Sequence, residues 1–275
     1  MAESRLKNWL RRYLPPQVLH VALRLLGRAT RFKGPMETWE EASSLSVGYS
    51  KNSILEKVLA ASLKVKDGDA AYERDSVLFD KIEYSWPALT GLLWAAARHG
   101  GRLNVLDFGG ALGSSYFQNR FFIDRLEHVR WGVVEQEHFV ECGQTHMQDA
   151  RLSFYSSIDD CVNKAKPNVI LLSGVLQYIE APEDLLTKLV AIKADCLILD
   201  RTIVNSSLSS SVYVQYVPKQ IYEASYPCWS LSESTIIALI EQYHYKCATD
   251  FYSLAFPALG SINSEYKGYI FMRSV

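Results

Sequence analysis

Leu103-Asn104-Val105-Leu106-Asp107-Phe108-Gly109-Gly110-Ala111-Leu112-Gly113 decides the fold of this 275-residue chain. Leu103, Val105 and Leu106 form an apolar run of strand type, and Asp107 stands where that strand should end. Gly109, Gly110 and Gly113 follow, and Ser115-Tyr116-Phe117-Gln118-Asn119-Arg120-Phe121-Phe122 opens a helix. A strand, a glycine turn and a helix N-terminus make a cradle for a nucleotide-type ligand. Glycine takes positive φ at little cost and lets backbone N–H groups approach a ligand closely. A structural turn without a ligand is the alternative for this stretch taken alone.

A dinucleotide fingerprint requires G-x-G-x-x-G with a pyrophosphate on the helix N-terminus. Here Gly109 and Gly110 are adjacent, Gly113 follows, and an acid stands two positions before the first glycine. That acid repels a pyrophosphate and suits an ammonium. S-adenosylmethionine carries an ammonium, a sulfonium and a ribose diol. The segment resembles motif I of class I methyltransferases, acid-x-Gly-x-Gly-x-Gly, with Ala111 at the usual place of the middle glycine. Alanine is small, so a slightly altered turn and a retained site are expected.

Downstream, strands alternate with helices. Val129 to Glu135, Leu152 to Tyr155, Asn168 to Ser173 and Ala194 to Asp200 read as strands two to five. Pro182 to Ile192 and Ser232 to Tyr243 read as helices, with Pro182 suited to a first helical turn. The last strands, near Tyr245 to Phe256 and Tyr266 to Met272, lack an intervening helix and predict an antiparallel hairpin. The expected fold is α/β: a mostly parallel seven-stranded Rossmann-like sheet of class I methyltransferase type, with a C-terminal antiparallel hairpin and an N-terminal helical extension. Residues 1–34 are expected as a basic amphipathic helical extension, 35–101 as a helical lead-in and 102–275 as the Rossmann-like domain. Gly34-Pro35 reads as the joint, Ser53 to Val65 and Trp86 to Arg98 as helices, and Asn205 to Ser211 as a polar loop.

Composition is that of an ordinary globular chain, 48% hydrophobic and 21% charged. No apolar run spans a bilayer and the N-terminus lacks a signal-peptide core, which points to a cytoplasmic protein. Cys142, Cys161, Cys196, Cys228 and Cys247 form no C-x-x-C pair, and the histidines show no ligand spacing, so no metal is expected. The net charge of −1 conceals a division: residues 1–33 carry eight Lys and Arg against the single acid Glu3, which leaves the remainder at −8. Leu6, Trp9, Leu10, Tyr13 and Leu14, then Val18, Leu19, Val21, Ala22, Leu25 and Leu26, give this head apolar helical sides around Pro15-Pro16. Two readings stand: peripheral contact with the inner face of a membrane, or packing on the domain or on a second copy in a homodimer. The acidic body and the lack of a recognition motif argue against nucleic acid.

Glu135, about 20 residues past the glycine turn, suits hydrogen bonds from both ribose hydroxyls, a role common to NAD and adenosylmethionine folds. With it, Asp107, Phe108, Gly109, Gly110, Gly113, Gln136, Ser173, Val175 and Arg74 are the expected cofactor residues, Arg74 closing over the methionine end. Several stretches resemble class I methyltransferases found among surface-polysaccharide and O-antigen biosynthesis proteins. They are Gly48-Tyr49, Tyr72 to Asp80, Asp107 to Asn119, Val134-Glu135-Gln136, Leu199-Asp200-Arg201-Thr202, Tyr226-Pro227-Cys228-Trp229 and Tyr266-Lys267-Gly268. The resemblance runs from about Trp39 to the C-terminus. It implies S-adenosyl-L-methionine as cofactor and a sugar, in a nucleotide-linked or lipid-linked glycan, as acceptor.

A sugar hydroxyl needs a base or a hydrogen-bond acceptor. Asp200 at the end of the fifth strand is the candidate, with Arg201 beside it as an anion binder or as its partner in a structural pair, and Tyr178 nearby. Tyr116, Gln177 and Tyr226 are placed on the acceptor side. Two other functions stay open: a nicotinamide-dependent sugar oxidoreductase, which lacks both G-x-G-x-x-G and Tyr-x-x-x-Lys here, and a non-catalytic scaffold in a glycan-assembly complex.

Overall fold

The computed structural model describes residues 30–46, 51–74, 76–217, 224–253 and 262–274. Residues 1–29, Gly48-Tyr49 and Asp75 lie outside them, so the helical head and those parts of the resemblance are not described.

The core alternates strands and helices as the sequence predicts. Strand β4 spans Arg102–Phe108, β5 His128–Val134, β6 Leu152–Tyr155, β7 Val169–Ser173 and β8 Cys196–Asn205. These strands are parallel, in spatial order β6-β5-β4-β7-β8. Beyond β8 lies β12, Glu265–Arg273, antiparallel to it, and then β11, Tyr245–Tyr252. This seven-stranded arrangement, five parallel strands and an antiparallel hairpin, is the class I methyltransferase fold.

Successive strand residues enter opposite cores, as a pleat with both faces covered requires. Leu103, Val105, Val169, Leu171, Cys196, Ile198, Ile270 and Met272 belong to one apolar cluster. Leu106, Ile170, Leu172, Leu197, Leu199, Tyr269 and Phe271 belong to the other. Helices α2 (Lys51–Asp67), α3 (Trp86–Arg98), α4 (Ser114–Ile123) and α5 (Glu137–His146) cover the first face. Helices α6 (Ile158–Ala165), α7 (Pro182–Val190) and α8 (Glu233–Glu241) cover the second. Connections from β4 and from β7 thus leave to opposite sides, which opens a crevice at their carboxyl ends. In open α/β sheets that switch point is where ligands bind.

Three departures concern the periphery. The sheet has ten strands rather than seven, because β1 (Arg31–Met36), β9 (Ser211–Tyr216) and β10 (Ser225–Ser232) extend it. Past Asp200, β8 runs beyond the end of β7, and β10 takes the vacated side, pairing Leu231 with Val204 and Ser232 with Asn205. Strand β9 pairs antiparallel with β10 and β1 with β9. The loop expected over Asn205 to Ser211 is therefore short and bounded by strands. Helix α1 (Trp39–Ser44) covers the added strands, with Ala42 against Val212 and Val214 and Trp39 stacked on Trp229 at 5.6 Å. Second, Gly34-Pro35 is no joint: it lies inside β1, where the register shifts between Lys33 and Met36. Third, β2 (Tyr72–Arg74) pairs antiparallel with β3 (Val77–Phe79) as a small separate sheet. Among the described residues, no helix is long and apolar enough to cross a membrane.

Candidate active site

The glycine turn continues β4 through Gly109 N–H to the Val134 carbonyl at 2.9 Å and closes with Gly113 N–H on the Gly110 carbonyl at 2.9 Å. Gly109 and Gly113 have φ of 71° and 92°, in the left-handed region that favours glycine. Ala111 is there too, at 49°, so the turn keeps its backbone shape with alanine at the usual glycine position. Gly110 is needed for a different reason: a methyl group built on it would lie 2.6 Å from Cγ of Asp107. The turn is pressed directly onto the acid.

Asp107 is 1% exposed. The indole N–H of Trp131, on the adjacent strand β5, donates to its Oδ2 at 2.9 Å. Its Oδ1 is buried without a hydrogen-bond partner. Burial pushes the carboxyl up to about 7, against the pull of the Trp131 N–H and the Arg201 guanidinium, with Glu135 adding to the rise. A buried carboxylate with one unpaired oxygen is a poor structural element and a good receptor for a cation.

Glu135 follows β5, half-buried, and its carboxylate accepts the Gln136 backbone N–H at 2.8 Å. The Ala111 backbone N–H lies near enough to favour its charged form, which links the end of β5 to the glycine turn. Burial is the larger influence and raises its carboxyl. Gln136 caps α5 and is exposed.

On the other side of the crevice, β7 ends in Ser173, and Gly174 turns with φ of 74°. Val175 packs on Gly109, so closely that a methyl group there would lie 2.9 Å from its Cβ. Asp200, paired with Ser173 across β7 and β8, is 4% exposed. Ser173 Oγ donates to its Oδ2 at 2.9 Å and Ser85 Oγ to its Oδ1 at 3.3 Å. Arg201 Nε lies 3.8 Å from Oδ2, donates to Ser173 Oγ at 3.2 Å, and Nη2 donates to the Ser173 carbonyl at 3.2 Å. Both Asp200 oxygens are thus engaged, an arrangement that positions Arg201.

A β-bulge produces this. Lys267 and Tyr269 of β12 face Thr202 and Leu199 of β8, so three steps along β8 oppose two along β12. Arg201 sits in the bulge with φ of 54°. The extra residue lets two successive side chains, Asp200 and Arg201, both reach Ser173, where a regular strand would send them to opposite faces.

The strand ends therefore bring together Asp107, Gly109, Gly110, Gly113, Glu135, Ser173, Val175, Asp200 and Arg201, with Gln136 and the half-buried Phe108 beside them. Three expected residues are placed otherwise. Tyr116 is no acceptor residue: it is 1% exposed, edge-on to Phe117 at 5.2 Å and near Trp131 at 5.8 Å. Gln177 is also buried, and its amide donates to the Arg201 carbonyl at 3.2 Å, which fixes the bulge from behind. Arg74 pairs with Glu83 at 3.7 Å and covers the Phe79 ring, while its neighbour Glu73 takes the Ser114 hydroxyl at the start of α4. Tyr178 and Tyr226 meet edge-to-face at 5.0 Å. Gln215 of β9 joins them, accepting from Tyr178 Oη at 3.2 Å and donating to Tyr226 Oη at 3.4 Å.

Sequence reasoning missed Glu73, Ser85, Trp131 and Gln215. Only Trp131 carried a signal, since a tryptophan in a buried strand needs a partner for its N–H. Among the described residues no group of three His, Cys, Asp or Glu converges as a metal site would require.

No family model matches this chain, and no curated protein matches its sequence. Among solved structures, the N-terminal domain of EvdMO1, determined with SAH and D-fucose, is 13% identical over 83% of this chain and 98% of its own, with a TM-score of 0.47. A S-adenosylmethionine-dependent methyltransferase from Clostridium acetobutylicum is 9% identical over 80% and 99%, with a TM-score of 0.45. Magnesium protoporphyrin IX methyltransferase from Synechocystis PCC 6803, with bound SAM, is 13% identical over 80% and 97%, with a TM-score of 0.43.

Proposed function

We propose that this chain is a S-adenosylmethionine-dependent methyltransferase that methylates an oxygen or nitrogen of a sugar in surface-glycan biosynthesis. The observation that carries it is Asp107, a buried carboxylate with an unpaired Oδ1, pressed against Gly110 at the switch point of the sheet. The chemistry of the donor set fits the cofactor. Asp107 suits a cation, Glu135 at the next strand end suits a diol, and the glycine turn leaves the backbone open to close approach. When bound, the cofactor supplies an electrophilic methyl group on its sulfonium.

The chain's own residues supply position and charge. Asp107 and Glu135 orient the donor. Ser85, Ser173 and Asp200 hold Arg201 at the crevice. Tyr178, Gln215 and Tyr226, with an amide between two phenols, offer aromatic faces and hydrogen bonds together, a combination suited to a sugar ring. The acceptor is a nucleotide-linked or lipid-linked glycan, and the protein works in the cytoplasm, with residues 1–33 contacting the inner membrane face or a second copy.

Calorimetric titration with S-adenosylmethionine, S-adenosylhomocysteine and NAD tests the cofactor. Binding of the first two at micromolar concentration, without NAD, is expected; binding of none overturns the proposal. A second reading, a non-catalytic scaffold, is favoured by the engagement of both Asp200 oxygens, which ties the candidate base into a structural network. Failure to bind S-adenosylmethionine, combined with stable association with a glycosyltransferase, would favour the scaffold.

A further inference from the structure

We propose that Arg201 sets the preference of the crevice between the cationic methyl donor and uncharged adenosine ligands, because its guanidinium is fixed at the end of β7, just beyond the buried acid that suits a cation. The proposal rests on the cofactor assignment above and concerns a role distinct from anchoring the acceptor.

Four observations place the side chain. The bulge in β8 turns Arg201 out of the strand's alternation, in a left-handed conformation uncommon for arginine. Two hydrogen bonds, to Ser173 Oγ and to the Ser173 carbonyl, fix the guanidinium at the carboxyl end of β7, the strand that pairs with β4 at the switch point. Gly174 lies directly against it, so that a methyl group there would sit in ordinary contact, 3.5 Å from Cζ of Arg201. Finally, Ser173 stands two residues past Leu171, the partner of Asp107 on β7, so the guanidinium is held just beyond the buried acid, where its charge opposes the rise of that carboxyl. Arg201 thus provides positive charge for a buried carboxylate from within the chain.

A ligand cation drawn to Asp107 meets that charge. Either the two cations repel within a poorly solvated cleft, or Arg201 leaves Ser173 and gives up its hydrogen bonds. Both routes weaken binding of a cationic ligand relative to an uncharged one that shares its adenine and ribose. A glutamine keeps hydrogen-bonding capacity toward Ser173 without the charge, and a lysine keeps the charge without the planar fork.

The test is calorimetry on the full chain and its Arg201→Gln and Arg201→Lys variants, with S-adenosylmethionine, S-adenosylhomocysteine and 5′-methylthioadenosine, which has neither ammonium nor sulfonium. Arg201→Gln is expected to tighten S-adenosylmethionine by about tenfold, ~1.4 kcal/mol, and to leave 5′-methylthioadenosine unchanged, while Arg201→Lys stays near the parent. Tightening of S-adenosylhomocysteine as well identifies the ammonium as the competing cation; its absence identifies the sulfonium. An unchanged ratio between S-adenosylmethionine and 5′-methylthioadenosine, or weaker S-adenosylmethionine binding, in a variant that melts like the parent overturns the proposal and spares the cofactor assignment. Failure of all three ligands to bind the parent overturns both.

Discussion

Asp107 concentrates the cost and the use of this fold in one side chain. Its carboxyl is lifted from 3.8 to about 7, so folding takes up a proton through the intervening range. Below about pH 4 both states hold the proton and the burden is absent. As pH rises towards 7 the unfolded chain releases it first, so stability falls; above 7 the full burden remains. Asp107→Asn keeps an oxygen to accept from Trp131 and removes the charge. We expect urea unfolding to find the variant similar to the parent near pH 4 and more stable by roughly 2–4 kcal/mol near pH 8.5, with S-adenosylmethionine binding weakened. Equal stability at both pH values would refute the assignment of a raised carboxyl. Asp107, the glycines and Glu135 were legible from sequence because their chemistry is local to one strand end and one turn. Tyr116 and Gln177 were not. Each follows a strand end, but the rotation of its helical turn sends the side chain into the core, and residue spacing from the turn does not report that rotation.

The elements divide the same way. Strand β7 announces itself as a continuous apolar run, and β4 and β8 by shorter ones, because both faces are buried. Strands β9 and β10 carry Ser, Tyr and Gln in short stretches, and Pro227 argues against a strand. The proline is tolerated because β10 meets β8 only at Leu231 and Ser232, leaving one side of Pro227 without a strand neighbour. Pairing with the overhanging end of β8 creates these strands, and that overhang is a tertiary fact. The bulge at Arg201 is likewise set from outside its own strand. Gly268 lies opposite it on β12, where a methyl group would meet the Phe251 ring and come within 2.9 Å of the Leu199 carbonyl. The ring can shift, but the Leu199 carbonyl belongs to the β8 backbone just before Asp200. Gly268→Ala is therefore expected to destabilise by about 1–3 kcal/mol and to weaken S-adenosylmethionine binding beyond what the lost stability explains. Thermal melts read with calorimetry on the folded variant check it; an unchanged melting temperature would mean that β8 tolerates displacement at the bulge.

At the scale of the molecule, charge is distributed against the fold. The basic head was expected to end at a joint near Gly34, but β1 begins at Arg31 and belongs to the sheet, so Arg31 and Lys33 are part of the folded body. Residues 1–29 hold six of the basic residues and Glu3; their removal leaves 23 basic and 29 acidic residues. A chain lacking 1–29 keeps β1, both apolar clusters and every residue of the crevice. Its melting temperature and cofactor affinity should match the parent. Attraction to an anionic surface should not survive, since each Lys or Arg near such a surface contributes about 1 kcal/mol and the truncated chain is acidic. Sedimentation with vesicles rich in phosphatidylglycerol decides the matter. We expect the full chain to bind at low ionic strength and to release as salt shortens the Debye length to about 8 Å, and the truncated chain not to bind. If both bind alike, the surface that meets the membrane lies on the folded body; if neither binds, the head serves a protein contact, and the sedimentation velocity of the two chains then shows whether that contact is with a second copy.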